Sequence, residues 1–398
     1  MAQGLLCPFH DVSGTGFGHP TGLPPSSMLY SSSMTQVGAH YLMLQLIWCA
    51  LGFVLCVTAT TLDYQWLKKF AWPMFIVALV LLALVLLPLP HGITKKINGA
   101  HRWFILPGMR LQPSEFAKLA LVIMLAWYGD RYQRQMQSWK RGIVFSGMLM
   151  ALVLGPIFVE PDRGTTILLA AVGGSMLLVA GVRWKHILLP AAVGAAGLAV
   201  SIWHDPMRMK RIFSWWDLEQ HKDGAGYQAY QAMIALGSGG WTGLGLGNGR
   251  QKLGFVPEHH TDFIFSIIGE ELGLIATLLV VAGFVVVALC GIYIALNARD
   301  NFGCLLALGI TLLISLQAAI NIGVVTSALP NKGLPLPFIS YGGSNLLAML
   351  TGVGILFSVA RHARARGAVA ATSVETEGIS PVRAAKNPFA RRGPAHAT

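Results

Sequence analysis

Long apolar runs separated by short polar segments are the dominant pattern of this chain. A helix needs ~20 apolar residues to cross a bilayer, and runs of about that length recur along the sequence. The pattern predicts an all-α polytopic membrane protein, a bundle of about nine to ten transmembrane helices with a large extracytoplasmic loop. The expected spans lie near residues 41–61, 70–88, 113–128, 142–159, 163–181, 186–203, 272–297, 304–327 and 344–361.

The composition supports this class. Hydrophobic residues make up 54% of the chain and charged residues 12%, whereas a soluble protein carries about a quarter charged residues. The net charge of +12 indicates membrane topology and affinity for anionic lipid. Nucleic acid is not an expected partner, because the sequence has no basic–aromatic stripe and no zinc-finger spacing.

Basic residues predict the orientation, because Lys and Arg are enriched in cytoplasmic loops. Basic residues of several short connections between the expected spans fall on one side, which we assign to the cytoplasm together with the C-terminus. Segments 89–112 and 204–271 then face outward. The basic residues that support this assignment are Lys68, Lys69, Arg131, Arg134, Lys140, Arg141, Arg183, Lys185 and the cluster 361–366.

Three regions differ in character from the transmembrane domain, 41–361. Residues 1–40 are rich in Gly, Pro and Ser and contain no Lys or Arg, so they lack the basic region of a signal peptide. The outer stretch 204–271 is too long for a passive connector; its aromatic residues predict short interfacial helices, with disorder as the alternative. Residues 362–398 predict a disordered basic tail.

A group of titratable residues, PEHHTD at 257–262, lies between apolar runs and points to proton chemistry, metal binding or an ion path. Partial desolvation would raise the pKa of Asp262 toward that of a general base, but an Asp before an apolar helical run is equally typical of a helix N-cap. Adjacent His259 and His260 point to different helix faces. Glu258, His260 and Asp262 would therefore converge on a cation only in an irregular loop.

Two further segments place charges beside apolar helices. Glu115 and Lys118 share a helix face three residues apart, so Lys118 is an ion-pair partner, a cation facing an anionic substrate, or both. The prolines and glycines of 330–344 exclude a continuous helix. This segment predicts a cavity-lining loop with Lys332 as an anion contact, or else a rigid outer turn.

The glycine-rich run GSGGWTGLGLGNG at 237–249 matches neither the P-loop nor the dinucleotide-binding pattern. Its backbone permits close approach to a ligand or to a neighbouring helix. We do not expect a nucleotide site.

Taken together, an ordered set of motifs resembles the SEDS family (shape, elongation, division and sporulation proteins). They cover most of the chain, roughly 28–362. The matching strings are NGAHRW at 98–103, QPSEFAK at 112–118, PDRGT at 161–165, the segment 227–252, PEHHTDFIF at 257–265, GEELG at 269–273 and KGLPLPFISYGGS at 332–344.

The resemblance implies a peptidoglycan glycosyltransferase that polymerises lipid II on the outer face of the bacterial cytoplasmic membrane. The family's catalytic aspartate falls on Asp262. The Lys-Gly-Leu-Pro form of the last motif is similar to the division branch, which implies a septal location and partners that include a class B penicillin-binding protein and other division proteins. The candidate substrate-binding residues are Glu258, Arg102, Glu115, Lys118, Arg211, Lys252, Lys332 and Ser340.

This chemistry fits the residues. Asp262 would accept the proton of an attacking sugar hydroxyl, and basic side chains or a divalent cation, Mg²⁺ or Mn²⁺, would stabilise the pyrophosphate leaving group. No protein metal ligands are assigned. A lipid II transporter, an elongation-type polymerase and an inactive division scaffold are the alternatives.

The chain departs from the family pattern at three places. Members usually have ten spans, whereas nine are expected here, because the first helix is missing or degenerate. Asn345 and Gly249 stand where serine is common.

Overall fold

The computed structural model describes residues 36–87, 94–97, 100–106, 109–249 and 262–377. The predictions for residues 1–35 and 378–398 lie outside the described residues.

The described residues form eleven α-helices, numbered here in chain order. A 3₁₀ turn at Gln133–Gln135 and a π-helical turn at Lys140–Phe145 precede the fourth. The helices are α1 Gln36–Thr61, α2 Gln65–Leu86, α3 Pro113–Arg131, α4 Ser146–Val159, α5 Arg163–Val179, α6 Trp184–Trp203, α7 Pro206–Trp216, α8 Tyr227–Ser238, α9 Ile264–Leu296, α10 Asn301–Val325 and α11 Gly343–Glu377.

Each of the nine predicted spans coincides with a helix, which confirms the helical membrane fold. Seven are long and apolar enough to cross a membrane: α1, α2, α4 with its π-helical turn, α6, α9, α10 and α11. The other two are α5, which has 17 residues, and α3, which carries four charged residues.

The core lies around α3, which packs against α2, α4, α5, α10 and α11. Most of α3 is buried, including Ala120, Ile123 and Met124. Helix α10 is the second interior helix and contacts α3, α5, α9 and α11. Because lipid is as apolar as leucine, close packing and polar contacts hold such helices together.

Segment 89–112, which we expected to face outward, contains a small antiparallel sheet. The sequence pattern predicted no strands here. Aromatic and aliphatic residues of β2 favour extended backbone, and Phe104 pairs with Leu111 of β3. The sheet has the order β1-β2-β3, with β1 Thr94–Ile97, β2 Ala100–Leu106 and β3 Met109–Leu111.

The outer stretch 204–271 contains the short helices that its aromatic residues predict, α7 and α8. The predicted start of the next span near 272 coincides with a break in α9, which itself begins earlier, at Ile264. Gly273, at φ 78°, kinks α9, and the segment before the kink is buried together with Glu270 and Glu271. Those two carboxylates interrupt the apolar pattern and conceal the start of the helix in the sequence.

Helix α11 continues to Glu377, past the predicted end of the span at 361. Residues 362–377 were expected to be disordered, but their Ala and Arg residues favour a helix.

The helix ends define two ends of the bundle. At one end, the Tyr64 hydroxyl donates to Asp300 Oδ1 at 2.5 Å, and Lys68 Nζ lies 2.5 Å from Asp130 Oδ2. Asn301 donates to Gln133 there as well, so the basic loops of the chain meet at this end. We call it the basic end. Asp262 and Lys332 lie at the other.

Candidate active site

Asp262 lies beside Gly333, which joins two motifs far apart in the sequence. A Cβ on Gly333 would be 2.5 Å from Asp262 Oδ2, so only glycine lets the carboxylate approach this backbone. The N-cap position of α9 is occupied by Phe263. Asp262 lies one residue before this position.

Two amide side chains of α10 hold this arrangement. Asn321 Nδ2 donates to the Asp262 carbonyl at 2.8 Å and to the Leu334 carbonyl at 2.6 Å. One turn away, Gln317 Nε2 donates to the Pro335 carbonyl at 2.9 Å. The same face of α10 thus fixes both the residue at the start of α9 and the loop that passes over it.

Sequence analysis missed Gln317 and Asn321. A signal was present, because two amides at i, i+4 spacing inside an apolar span are costly and share one face.

Lys118 and Glu115 lie in this network. Lys118 Nζ is 2.8 Å from Glu115 Oε2 and donates to Gln317 Oε1 at 2.9 Å. The lysine side chain is fully buried. The predicted ion pair is confirmed, and Gln317 connects it to the loop beside Asp262.

Lys332 is partly buried next to Gly333. Burial lowers the pKa of Lys332 from its ordinary value, because desolvation disfavours the charged form. The preceding residue, Asn331, donates to Gln228 Oε1 of α8 at 3.2 Å.

Ser340 stiffens the same loop. Its hydroxyl accepts a hydrogen bond from the Leu336 amide at 2.8 Å, and its own amide donates to the Leu336 carbonyl at 3.1 Å. The side chain is buried. These contacts stabilise the loop conformation that places Lys332 and Gly333 at Asp262.

Arg102 of β2 lies at the turn between α4 and α5. Its Nε donates to the Glu160 carbonyl at 2.8 Å. This turn touches the loop, because Leu334 packs against Gly164, whose Cβ would lie 3.0 Å from Leu334 Cγ. Arg102 is therefore connected to the loop through the start of α5.

The structure does not place the remaining predicted residues beside Asp262. Arg211 is exposed on α7, which is tied to the end of α10 by Trp215 Nε1 donating to the Ser327 carbonyl at 2.8 Å. Lys252 and Glu258 lie outside the described residues.

The glycine-rich run packs on the kink of α9. The Leu244 amide donates to the Glu270 carbonyl and the Gly245 amide to the Glu271 carbonyl, both at 3.0 Å. A Cβ on Gly243 would overlap the Glu271 carbonyl oxygen. The glycines therefore serve close approach to a neighbouring helix. Gly249 stands where the family commonly has serine. A Cβ at this position would lie 2.9 Å from Glu270 Oε2.

No three His, Cys, Asp or Glu side chains cluster as metal ligands within the described ranges. Beside the Asp262 carboxylate lies Gly333, whose neighbour in the chain is Lys332.

Comparisons with known proteins agree with the motifs. The family model described as Cell cycle protein, FtsW/RodA/SpoVE, matches residues 23–365. The chain is 41% identical over 338 residues to the probable peptidoglycan glycosyltransferase FtsW of Trichlorobacter lovleyi, covering 83% of this chain and 88% of the relative. It is 38% identical over 326 residues to stage V sporulation protein E of Bacillus subtilis, covering 80% and 87%.

Solved structures share the architecture. One from a study of polymerization and crosslinking by a peptidoglycan synthase complex matches with a TM-score of 0.70 at 26% identity, covering 84% of this chain and 93% of that one. The rod shape determining protein RodA of Thermus thermophilus matches with a TM-score of 0.61 at 27% identity, covering 84% and 91%.

Proposed function

Because the chain belongs to the FtsW/RodA/SpoVE family of cell cycle proteins, we propose that it polymerises lipid II into glycan strands of the division septum. Its relatives named FtsW support the glycosyltransferase class and the division role. The observation that carries the proposal is the approach of Asp262 to Gly333 beside Lys332.

Asp262 is the proposed general base. Its carboxylate accepts the proton of the acceptor sugar hydroxyl while that oxygen forms a bond to the anomeric carbon of the donor. The bond from that carbon to the pyrophosphate oxygen breaks, and the pyrophosphate leaves with the electron pair. The proton, the new bond and the leaving group are thereby accounted for.

Lys332 is the proposed first contact of the departing pyrophosphate. It adjoins Gly333, and burial makes its charge more effective than in water. Glu115 and Lys118 support the loop indirectly, because Lys118 donates to Gln317, which in turn binds the loop. Arg102, Arg211, Lys252, Glu258 and Ser340 stay proposed substrate-binding residues.

A divalent cation, Mg²⁺ or Mn²⁺, belongs to the proposal as a charge-neutralising cofactor. Mg²⁺ in such sites is held by one or two carboxylates together with substrate phosphates and waters. Asp262 is the carboxylate that the described site offers, so the pyrophosphate and water would supply most of the other ligands. Chelation with EDTA should lower polymerisation, and added Mg²⁺ or Mn²⁺ should restore it; unchanged polymerisation in EDTA would remove the cation from the proposal.

The proposed orientation places the basic end in the cytoplasm and Asp262 on the outer face of the cytoplasmic membrane, following the enrichment of Lys and Arg in cytoplasmic loops. The proposed partner is a class B penicillin-binding protein, which would crosslink the strands. This pairing is supported by the structurally similar peptidoglycan synthase complex, in which polymerization and crosslinking are coordinated.

The decisive experiment gives lipid II to the purified full-length protein together with its cognate class B penicillin-binding protein. Asp262→Asn keeps the size of the side chain but removes the base, so polymer formation should fall by at least about 100-fold. Asp223→Asn, an exposed aspartate in the outer stretch, is the control and should polymerise normally.

Undiminished polymer from Asp262→Asn would refute the assigned base. Movement of lipid II across the membrane without any polymer would favour the transporter alternative.

A further inference from the structure

A basic pocket lies at the basic end of the bundle, the end opposite to Asp262. It is a shallow, widely open depression with a volume of about 680 Å³. It opens where α3 has ended, where the π-helical turn leads into α4, and where α5 connects to α6. Its lining includes Arg134, Ser138, Trp139, Lys140, Arg141 and Arg183.

The charge of the pocket selects for an anion. Four of its lining residues are Arg or Lys, and none of the lining residues is acidic. The carboxylate of Asp130, which precedes the pocket residues in the chain, is 2.5 Å from Lys68 Nζ. It is therefore engaged by a lysine that does not line the pocket.

The pocket wall is held in place by contacts that do not involve a ligand. The Arg141 guanidinium donates to Gln135 Oε1 and lies over the Tyr132 ring at 5.0 Å from its centroid. The Tyr128 hydroxyl donates to the Arg141 carbonyl at 2.8 Å.

The turn itself requires a glycine. A Cβ on Gly142 would overlap the Met136 carbonyl oxygen. Lys140 and Arg141 are thus carried by an ordered π-helical turn, a feature often found at functional sites.

The surroundings of the pocket favour a lipid over a soluble anion. Trp139 packs edge-on against His186 and is 44% exposed, and Trp184 is 61% exposed. Aromatic side chains of this kind lie at the level of lipid headgroups. Exposed apolar side chains lie beyond these aromatic residues. They are Phe145, which precedes α4, Met148 of α4 and Leu188 of α6.

We propose that this pocket binds the phosphate headgroup of an anionic phospholipid, whose acyl chains lie along the exposed apolar residues of α4 and α6. Basic pockets between transmembrane helices are suited to such headgroups. Lipid binding at this pocket can be measured without lipid II polymerisation, so its outcome does not depend on the proposed reaction.

The test measures lipid binding to the purified full-length protein by native mass spectrometry. Dioctanoyl phosphatidylglycerol should bind at least about tenfold more tightly than dioctanoyl phosphatidylcholine. The double variant Arg134→Gln, Lys140→Gln should lose about 10- to 30-fold of the phosphatidylglycerol affinity, since each basic group near a lipid surface contributes roughly fivefold.

Two variants control for charge and folding. Lys69→Gln with Lys222→Gln removes the same charge from exposed positions outside the pocket and should bind normally. Arg134→Lys with Lys140→Arg keeps the charge and should retain most of the affinity.

Equal affinity for the two lipids, or unchanged affinity in the Gln double variant, would overturn the proposal. Displacement of phosphatidylglycerol by inorganic phosphate at similar concentration would show that the pocket takes a soluble anion and would overturn the lipid assignment.

Discussion

Glu160 follows α4 and is 1% exposed. Neither of its carboxylate oxygens accepts a hydrogen bond from the described residues. Burial, together with the nearby charge of Asp162, raises the pKa of Glu160 to about 8, and Arg102 opposes this rise only in part. The folded protein therefore holds a proton on Glu160 at neutral pH.

This pKa predicts a pH dependence of stability. Between pH ~4.5 and ~8 the unfolded chain releases the Glu160 proton and the folded protein keeps it, so stability falls as pH rises through this window. Above pH ~8 the full penalty applies, on the order of 5 kcal/mol. Glu160→Gln should remove the penalty and raise the thermal unfolding midpoint more at pH 8.5 than at pH 5.

Thermal unfolding of the purified protein at the two pH values checks this. Glu219→Gln, which changes a carboxylate in the outer stretch, is the matched control and should leave the midpoint unchanged at both. An equal shift for Glu160→Gln at pH 5 and pH 8.5 would contradict the prediction.

At this scale, sequence analysis identified residues whose chemistry is costly in a membrane but not those that acquire their role from a neighbour. Lys118 was recognised because a lysine in an apolar helix needs a partner, and Glu115 is that partner. Glu160 was not recognised, because one carboxylate after a helix looks solvated until β2 and the start of α5 cover it.

Among the elements, the kinked α9 depends most clearly on a second segment of chain. The break at Gly273 leaves backbone groups of α9 without partners inside the helix, and the glycine-rich run binds them. The Leu274 amide, for example, donates to the Gly240 carbonyl at 2.9 Å. Gly243 has a φ of 81°, which side chains other than glycine rarely adopt.

Gly243→Ala is expected to be destabilising for two reasons. The added Cβ would overlap the Glu271 carbonyl oxygen, and the positive φ would cost about 1–2 kcal/mol. The thermal unfolding midpoint should fall by several degrees.

Gly237→Ala provides the matched control. It lies in α8 with no atom within 4 Å of the added Cβ, so it should be neutral or slightly stabilising. A midpoint for Gly243→Ala equal to that of Gly237→Ala would show that the run does not pack on α9 in this way.

For the whole molecule, Gln317 joins three helices and one loop. It accepts from Lys118 of α3, and it donates to the Pro335 carbonyl and to Asn345 Oδ1 of α11, the latter at 3.1 Å. Asn345, where the family commonly has serine, is thereby part of the network.

Gln317→Leu should weaken both the contacts of the buried Lys118 and the loop over Asp262. It leaves the buried Lys118 without one acceptor and releases the loop over Asp262, at a cost of roughly 2–4 kcal/mol. Both the thermal unfolding midpoint and lipid II polymerisation should fall.

Gln220→Leu, which changes an exposed glutamine, is the control and should preserve both. Polymerisation that is normal in Gln317→Leu would separate the network from the proposed reaction.

The sequence alone determined the helical membrane fold, because apolar runs of bilayer length have few stable alternatives to a helix. It also indicated the side on which basic loops gather and the motifs around Asp262. Tertiary structure decided what lies against Asp262. Asn321, Leu334 and Gly333 come together there because α10 packs between α3, α9 and α11, and side chains brought together by helix packing leave no local pattern in the chain.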